Sequence, residues 1–310
     1  MPDEQRLSLA PLQRLQLCRH RGLRDAEQAS GRRHGPGTVR GEERAPQRQI
    51  AQAIAIPIAH IGNLSESDAM RRRCPRYRIR TASAVRPSGA RMSSVLFVVT
   101  GARTWTLTDG TAHPTGYWAE ELLVPYRALR DAGHTVSFAS PGGVTPVPDA
   151  GRDRDPPAGR ELDGLDAPLV LADVDAAAYD AVYYPGGHGP MQDLAVDEDS
   201  AALIAATIAG GRPLAAVCHG LAALLPARTA TGEPLIAGRR LTGFTDAEER
   251  LGGLADRAPF LLESELRARG AEVDIAAPWS DHTVVDGLLI TGQNPQSSAS
   301  AAAALLAALA

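Results

Sequence analysis

The chain contains no lysine: all 32 of its basic residues are arginine. Aromatic residues make up only 4% of it, and there are three cysteines, Cys18, Cys74 and Cys218. So small, odd and widely spaced a set of thiols makes neither a disulfide framework nor a zinc site. It excludes the small crosslinked secreted domains and fits a reducing, cytoplasmic setting. The arginines lack the series of interleaved aromatics on which nucleic-acid bases stack, so no nucleic-acid partner is expected. No apolar run reaches the roughly 18 residues a membrane helix needs, so no membrane is expected either.

What is present divides unevenly. The net charge is -4, but residues 1–91 hold 18 Arg against 8 acidic residues, whereas 92–310 hold 14 against 28. In 1–91 the arginines follow no period, and the one apolar stretch, at 50–61, is broken by Pro57. Such a segment cannot bury enough apolar area to offset about 1–2 kcal/mol per residue of backbone entropy. Asp3, Glu4, Glu42 and Glu43 argue against a transit peptide, which is poor in acid. The expectation is that 1–91 is a disordered extension or lies ahead of a natural start at Met92, and that 92–310 is one domain.

From Met92 onward strand and helix alternate. The stretch 94–100 is a continuous apolar, β-branched run, as a strand covered on both faces requires. Helical spacing at 121–132 puts Leu122, Tyr126 and Leu129 on one side, with Pro125 suited to a first turn and Gly133 as the stop. Strands are expected at 134–139, 180–184, 213–217, 240–242, 272–275 and 288–291, and helices at 200–209, 219–225 and 299–309. Residues 141–166, rich in Gly, Pro and Asp, form a loop. This alternation predicts an α/β domain with a mostly parallel central sheet between helices and its ligand beyond the carboxyl ends of the strands.

Cys218 falls there, between the apolar 214–217 and the helical 219–225. A tight strand-to-helix turn of this kind is a nucleophile elbow, with Ala216 and Gly220 small enough to let it close. The start of the following helix is expected to favour thiolate over thiol. Pro185-Gly186-Gly187-His188-Gly189 follows another strand end, and its glycine amides, with that of His219, suit an oxyanion hole. A carboxyl near the thiol, shielded by Tyr117 and Trp118, would carry protons on substrate carbon; spacing does not choose between Glu120 and Glu121. His219 is a candidate base oriented by Glu249, with Asp246 as second choice, and His188 and His282 could also reach the cleft.

The segments 116–125, 184–189, 215–220, 241–249 and 291–295 together resemble the PfpI superfamily. The likeness is closer to its chaperone/glyoxalase branch, also described as type 1 glutamine amidotransferase-like, and it covers 92–310 and none of 1–91. The resemblance implies a flavodoxin-like sandwich, a homodimer, and a glutathione-independent glyoxalase that turns methylglyoxal and other 2-oxoaldehydes into 2-hydroxy acids with no metal or cofactor, in stress protection. It implies Cys218 as nucleophile, His219 as partner and Glu249 as third member. It selects Glu121 over Glu120, because the family's acid stands five residues after a glycine and four before a proline, here Gly116 and Pro125. Gly186, Gly187, His188 and Trp118 would line the pocket. Leu221, Val124 and the 141–166 loop depart from the family pattern. Two other readings compete: a holdase chaperone or redox sensor, and an amidase or peptidase. An amidase would call for a distant His-x-Glu pair, whereas His282 is followed by Thr283 and Val284.

Overall fold

The computed structural model describes residues 92–149 and 162–310. The expectations for 1–91, with Cys18 and Cys74, and for the middle of the 141–166 loop fall outside the described residues.

Strand β1 is Ser94–Val98, whose last four residues are fully buried. After it come a hairpin, β2 (Thr104–Thr106) with β3 (Ala112–Pro114), helix α1 (Ala119–Ala132), and strands β4 (Thr135–Ser140), β5 (Leu169–Val170) and β6 (Ala181–Tyr184). Next are the single turn α2 (Gly189–Gln192), helix α3 (Glu198–Ala209), strand β7 (Leu214–Val217) and a 3-10 helix, Cys218–Leu224. The remainder comprises β8 (Arg240–Leu241), α4 (Asp246–Gly252), α5 (Leu262–Ala268), β9 (Glu272–Val273), β10 (Thr283–Asp286), β11 (Leu289–Gly292) and α6 (Ser298–Ala308).

Seven strands make one sheet in the order β10-β11-β7-β6-β1-β4-β5. Every neighbouring pair is parallel except β10 with β11, which form an antiparallel hairpin through Gly287. The expected α/β class with a mostly parallel sheet is therefore the fold. Its centre, β11-β7-β6-β1, is built from short apolar runs whose residues are almost all buried, as strands covered on both faces must be. Helix α1 packs on β4 and on α6, α6 also lies on β7 and β11, and α3 covers β6 and β7. Leu122 and Leu129 put the apolar side of α1 into the core, each contributing roughly 1.5–3 kcal/mol by leaving water.

Two local expectations are corrected. Helix α1 begins at Ala119 and not at 121, so Pro125 lies inside the helix and not in its first turn. The segment after Cys218 is a 3-10 helix and not an α-helix, which weakens the axial dipole the sequence promised. The 141–166 loop is pinned where it is described: Tyr117 donates from its amide to the Val147 carbonyl and accepts at its own carbonyl from the Asp149 amide.

Candidate active site

Strands β6 and β7 run side by side in parallel, with Tyr184 opposite Ala216, so the turn 185–189 and Cys218 emerge together at the carboxyl end of the sheet's centre. Cys218 has φ 58°, in the left-handed region. For a residue with a Cβ this costs on the order of 1–2 kcal/mol, and the surrounding core has to hold it there. The turn closes because residue 220 has no side chain: a Cβ there would stand 2.5 Å from the Tyr184 carbonyl oxygen and 2.8 Å from that of Pro185. The elbow that the spelling of 214–220 suggested is thus present as backbone geometry.

The thiol is 4% exposed. Its sulfur lies 3.4 Å from His219 Nδ1, accepts from the His219 amide, and has the Glu121 carboxyl beside it. Burial pushes its pKa well above the usual thiol range; the Glu121 charge adds to this, and the His219 amide opposes it without prevailing. This reverses the expectation of a resting thiolate. Desolvation and the neighbouring carboxyl favour thiol over thiolate, and a 3-10 turn offers little axial field to oppose them.

Glu121 is fully buried, whereas Glu120 is exposed. Its Oε2 accepts a 2.7 Å bond from the Gly186 amide. A Cβ on residue 186 would meet that oxygen at 2.6 Å and the Cys218 Cβ at 2.9 Å, so only glycine lets the carboxyl come this close. The Gly186 amide therefore holds Glu121 and is not available to an oxyanion. Pro125 also has a purpose here. Standing four residues after Glu121 it has no N–H to give, so the Glu121 carbonyl is released from the helix ladder. The Tyr183 hydroxyl donates to that carbonyl at 2.8 Å. Proline and tyrosine together pin the backbone of the carboxyl-bearing residue. Trp118 is the N-cap of α1, half-buried, and its amide donates to the Gly186 carbonyl.

Glu249 lies in the first turn of α4, which starts with a capping box between Thr245 and Glu248. Its Oε2 is 2.8 Å from His219 Nε2 and its Oε1 is 3.1 Å from His188 Nε2. Burial acts to raise this carboxyl's pKa, but the hydrogen bonds and charges of His188 and His219 outweigh it and hold the group well below the usual carboxylate range. Cys218, His219 and Glu249 are thereby in line. Asp246 is turned away, accepting from the Ser264 amide and hydroxyl. His282 sits 3.6 Å from Asp274, just ahead of the edge strand β10, which β11 separates from β7, and in no bond with the thiol.

A sequence profile described as the DJ-1/PfpI family matches residues 114–308. The chain belongs to the DJ-1/PfpI family. Among members of known name, it is 30% identical over 239 residues to Glyoxalase 3 of Candida albicans, covering 70% of this chain and 98% of that protein. It is 31% identical over 238 residues to the glutathione-independent glyoxalase HSP31 of Saccharomyces cerevisiae, covering 69% and 97%. The crystal structure of glyoxalase III from Candida albicans superposes with a TM-score of 0.62 at 29% identity, over 70% of this chain and 97% of that one.

In this DJ-1/PfpI chain the departure at Leu221 is a matter of packing: the side chain is buried and reaches toward Gly243. Several residues of the site carried no signal in the sequence. Phe244 lays its ring 4.3 Å from that of His219, and Trp279 meets Phe244 edge-on at 5.5 Å. Trp279 has φ 61° and is, with Cys218, one of two non-glycine residues at positive φ among those described. Its amide is held by Glu248, a fully buried carboxylate that also accepts from Thr245, Gln293 and Asn294. Donor atoms of His188, His219 and Glu249 lie within 4.8 Å of one another, a spacing that their two imidazole–carboxylate hydrogen bonds account for. An ion there would have to displace both imidazole–carboxylate bonds.

Proposed function

We propose that this chain is a glutathione-independent glyoxalase that converts methylglyoxal and similar 2-oxoaldehydes to 2-hydroxy acids through Cys218, without a cofactor. The observation that carries the reading is the place of the sulfur, 3.4 Å from an imidazole nitrogen on one side and beside a buried carboxyl on the other. The named relatives support the substrate class. A homodimer and a cytoplasmic setting belong to the same reading; among the described residues no helix is long and apolar enough to cross a membrane.

The Cys218 thiol gives its proton to His219 Nδ1 as sulfur bonds to the aldehyde carbon, and His219 passes the proton to the former aldehyde oxygen. The product is a hemithioacetal. Glu121, as carboxylate, takes the hydrogen from that carbon and returns it to the neighbouring ketone carbon through an enediol, while His219 carries the hydroxyl proton from the former aldehyde oxygen to the former ketone oxygen, leaving a thioester of the 2-hydroxy acid. Water, with His219 as base, cleaves the thioester and restores the thiol. Glu249 stabilises the imidazolium form at each step; the Gly187 amide is assigned to the oxyanion, joined by the His219 amide once the sulfur it serves has bonded to carbon. The amidase reading has less support, because His282 pairs with Asp274 and makes no bond to the thiol.

The test is steady-state turnover of methylglyoxal without glutathione, read as lactate formed. Cys218→Ala is expected to fall to the background rate. A variant that still forms lactate at the wild-type rate overturns the proposal.

A further inference from the structure

Glu249 has two imidazole partners, and the mechanism uses one. His188 is 3% exposed. It projects from the turn after β6, its ring stacked on Trp105 at 5.2 Å and tilted against His219 at 4.2 Å. Its Nε2 meets Glu249 Oε1 at 3.1 Å while His219 Nε2 meets Oε2 at 2.8 Å, so both oxygens of one carboxylate are taken.

An ionised carboxylate only accepts, so each Nε2 facing it carries a proton. For neutral His219 this leaves the lone pair on Nδ1, the nitrogen 3.4 Å from the Cys218 sulfur. The reverse state is the harmful one. If Glu249 were protonated it would donate to His219 Nε2, the ring proton would move to Nδ1, and the thiol would face a donor where it needs a base. In so buried a site a carboxylate with one oxygen unpaired is driven toward that protonated state, since burial disfavours charge.

We propose that His188 is a positioning residue: by donating to Glu249 Oε1 it keeps the carboxylate ionised and fixes His219 in the tautomer whose Nδ1 accepts from Cys218. Of the forces that hold the Glu249 carboxyl down, the His188 hydrogen bond is the largest. The other ionisable groups around the site are Glu121 on α1, Cys218 after β7 and Glu248 beside Glu249 on α4. Glu248 is engaged by Thr245, Trp279, Gln293 and Asn294 and turns away from the pair. The proposal rests on the reading of Cys218 as nucleophile and His219 as its base.

His188→Phe keeps a ring between Trp105 and His219 but donates nothing, and His188→Gln restores an N–H at the right reach. The Phe variant is expected to lower kcat for methylglyoxal by roughly 10–100-fold with KM within about twofold, and to move the acid limb of kcat to higher pH as Glu249 protonates sooner. The Gln variant is expected to return both toward wild type. Iodoacetamide labelling of Cys218 in the absence of aldehyde, read against pH, should follow the same order. It reports on the base and the thiol even if methylglyoxal proves not to be a substrate, so the two proposals can fail separately. A Phe variant with wild-type pH profiles, or a Gln variant as impaired as Phe, overturns the assignment. Should the Phe variant not fold, nitrogen-15 spectra of the wild-type histidines decide it. Protons on Nε2 of both His188 and His219 are expected, and a proton on His219 Nδ1 in the neutral ring is fatal to it.

Discussion

At the scale of the residue, two neighbours of Cys218 pull in opposite directions. The Glu121 carboxyl is needed to move a hydrogen between substrate carbons, yet its charge is one of the causes that hold the thiol protonated. Glu121→Gln keeps an oxygen for the Gly186 amide and removes the charge. It is expected to speed iodoacetamide labelling of Cys218 at neutral pH while slowing methylglyoxal turnover by about 10²–10⁴-fold, the range of a lost proton carrier. Labelling that slows in step with turnover would show that the carboxyl merely supports the site. Tyr183 acts one bond further out. Tyr183→Phe leaves the Glu121 carbonyl, already deprived of a helical donor by Pro125, without its 2.8 Å partner. The variant should lose about 0.5–1.5 kcal/mol of stability, the net worth of one hydrogen bond, measurable by denaturant unfolding. The sequence displayed Glu121 and Pro125 but could not show why they stand four apart. That reason lies on β6, more than fifty residues away, and exists only once the sheet has formed. Glu249 was similarly open against Asp246. Both stand in the first turn of one helix, and only the direction of α4 sends one to His219 and the other to Ser264.

At the scale of the element, what could be read in advance depended on length and burial. β1, β6, β7 and β11 are apolar throughout because both faces are covered, so a run of four or five residues was enough to mark them. β10 shows a mixed pattern because it is an edge strand, and β5 has two residues, too few for any period. The short helix α4 was hidden for a related reason: its identity comes from the capping box at Thr245 and from Glu248 tying it to the loop at 279 and to Gln293 and Asn294, not from an apolar stripe. The elbow was legible as a sequence, but its type was not. Whether a turn after a strand becomes α or 3-10 is set by what it packs against, and here the Tyr184 and Pro185 carbonyls press on Gly220. Gly220→Ala tests that contact. A Cβ placed 2.5 Å from a main-chain oxygen forces the elbow or β6 to shift, so stability should fall by about 1–3 kcal/mol and turnover should fall with it. A stable variant with normal turnover would mean that the left-handed cysteine does not depend on this approach.

At the scale of the whole molecule, the same buried charges set the response to acid. Glu249 is held below the ordinary carboxyl range despite its burial, so its contribution to folding is fully present above its unfolded pKa, about 4.3, and is lost as pH falls toward the folded value. Asp193 has the opposite sign. Burial outweighs its bonds from Thr100, Leu194, Gly101 and Ala102 and lifts its carboxyl above the usual range. It therefore costs stability at neutral pH, and that cost fades on acidification. The two partly cancel, which conceals each in the wild-type curve. Glu249→Gln should flatten the fall of the thermal midpoint between about pH 5 and pH 3, because the variant has no proton to take up at that position. Asp193→Asn should steepen it, because the compensating relief is gone. These slopes are informative whatever the two variants do to absolute stability. Identical slopes in wild type and Glu249→Gln would mean that the bridged carboxyl is no more acidic in the folded protein than in the unfolded chain, and would remove the electrostatic basis for an ionised Glu249 between His188 and His219.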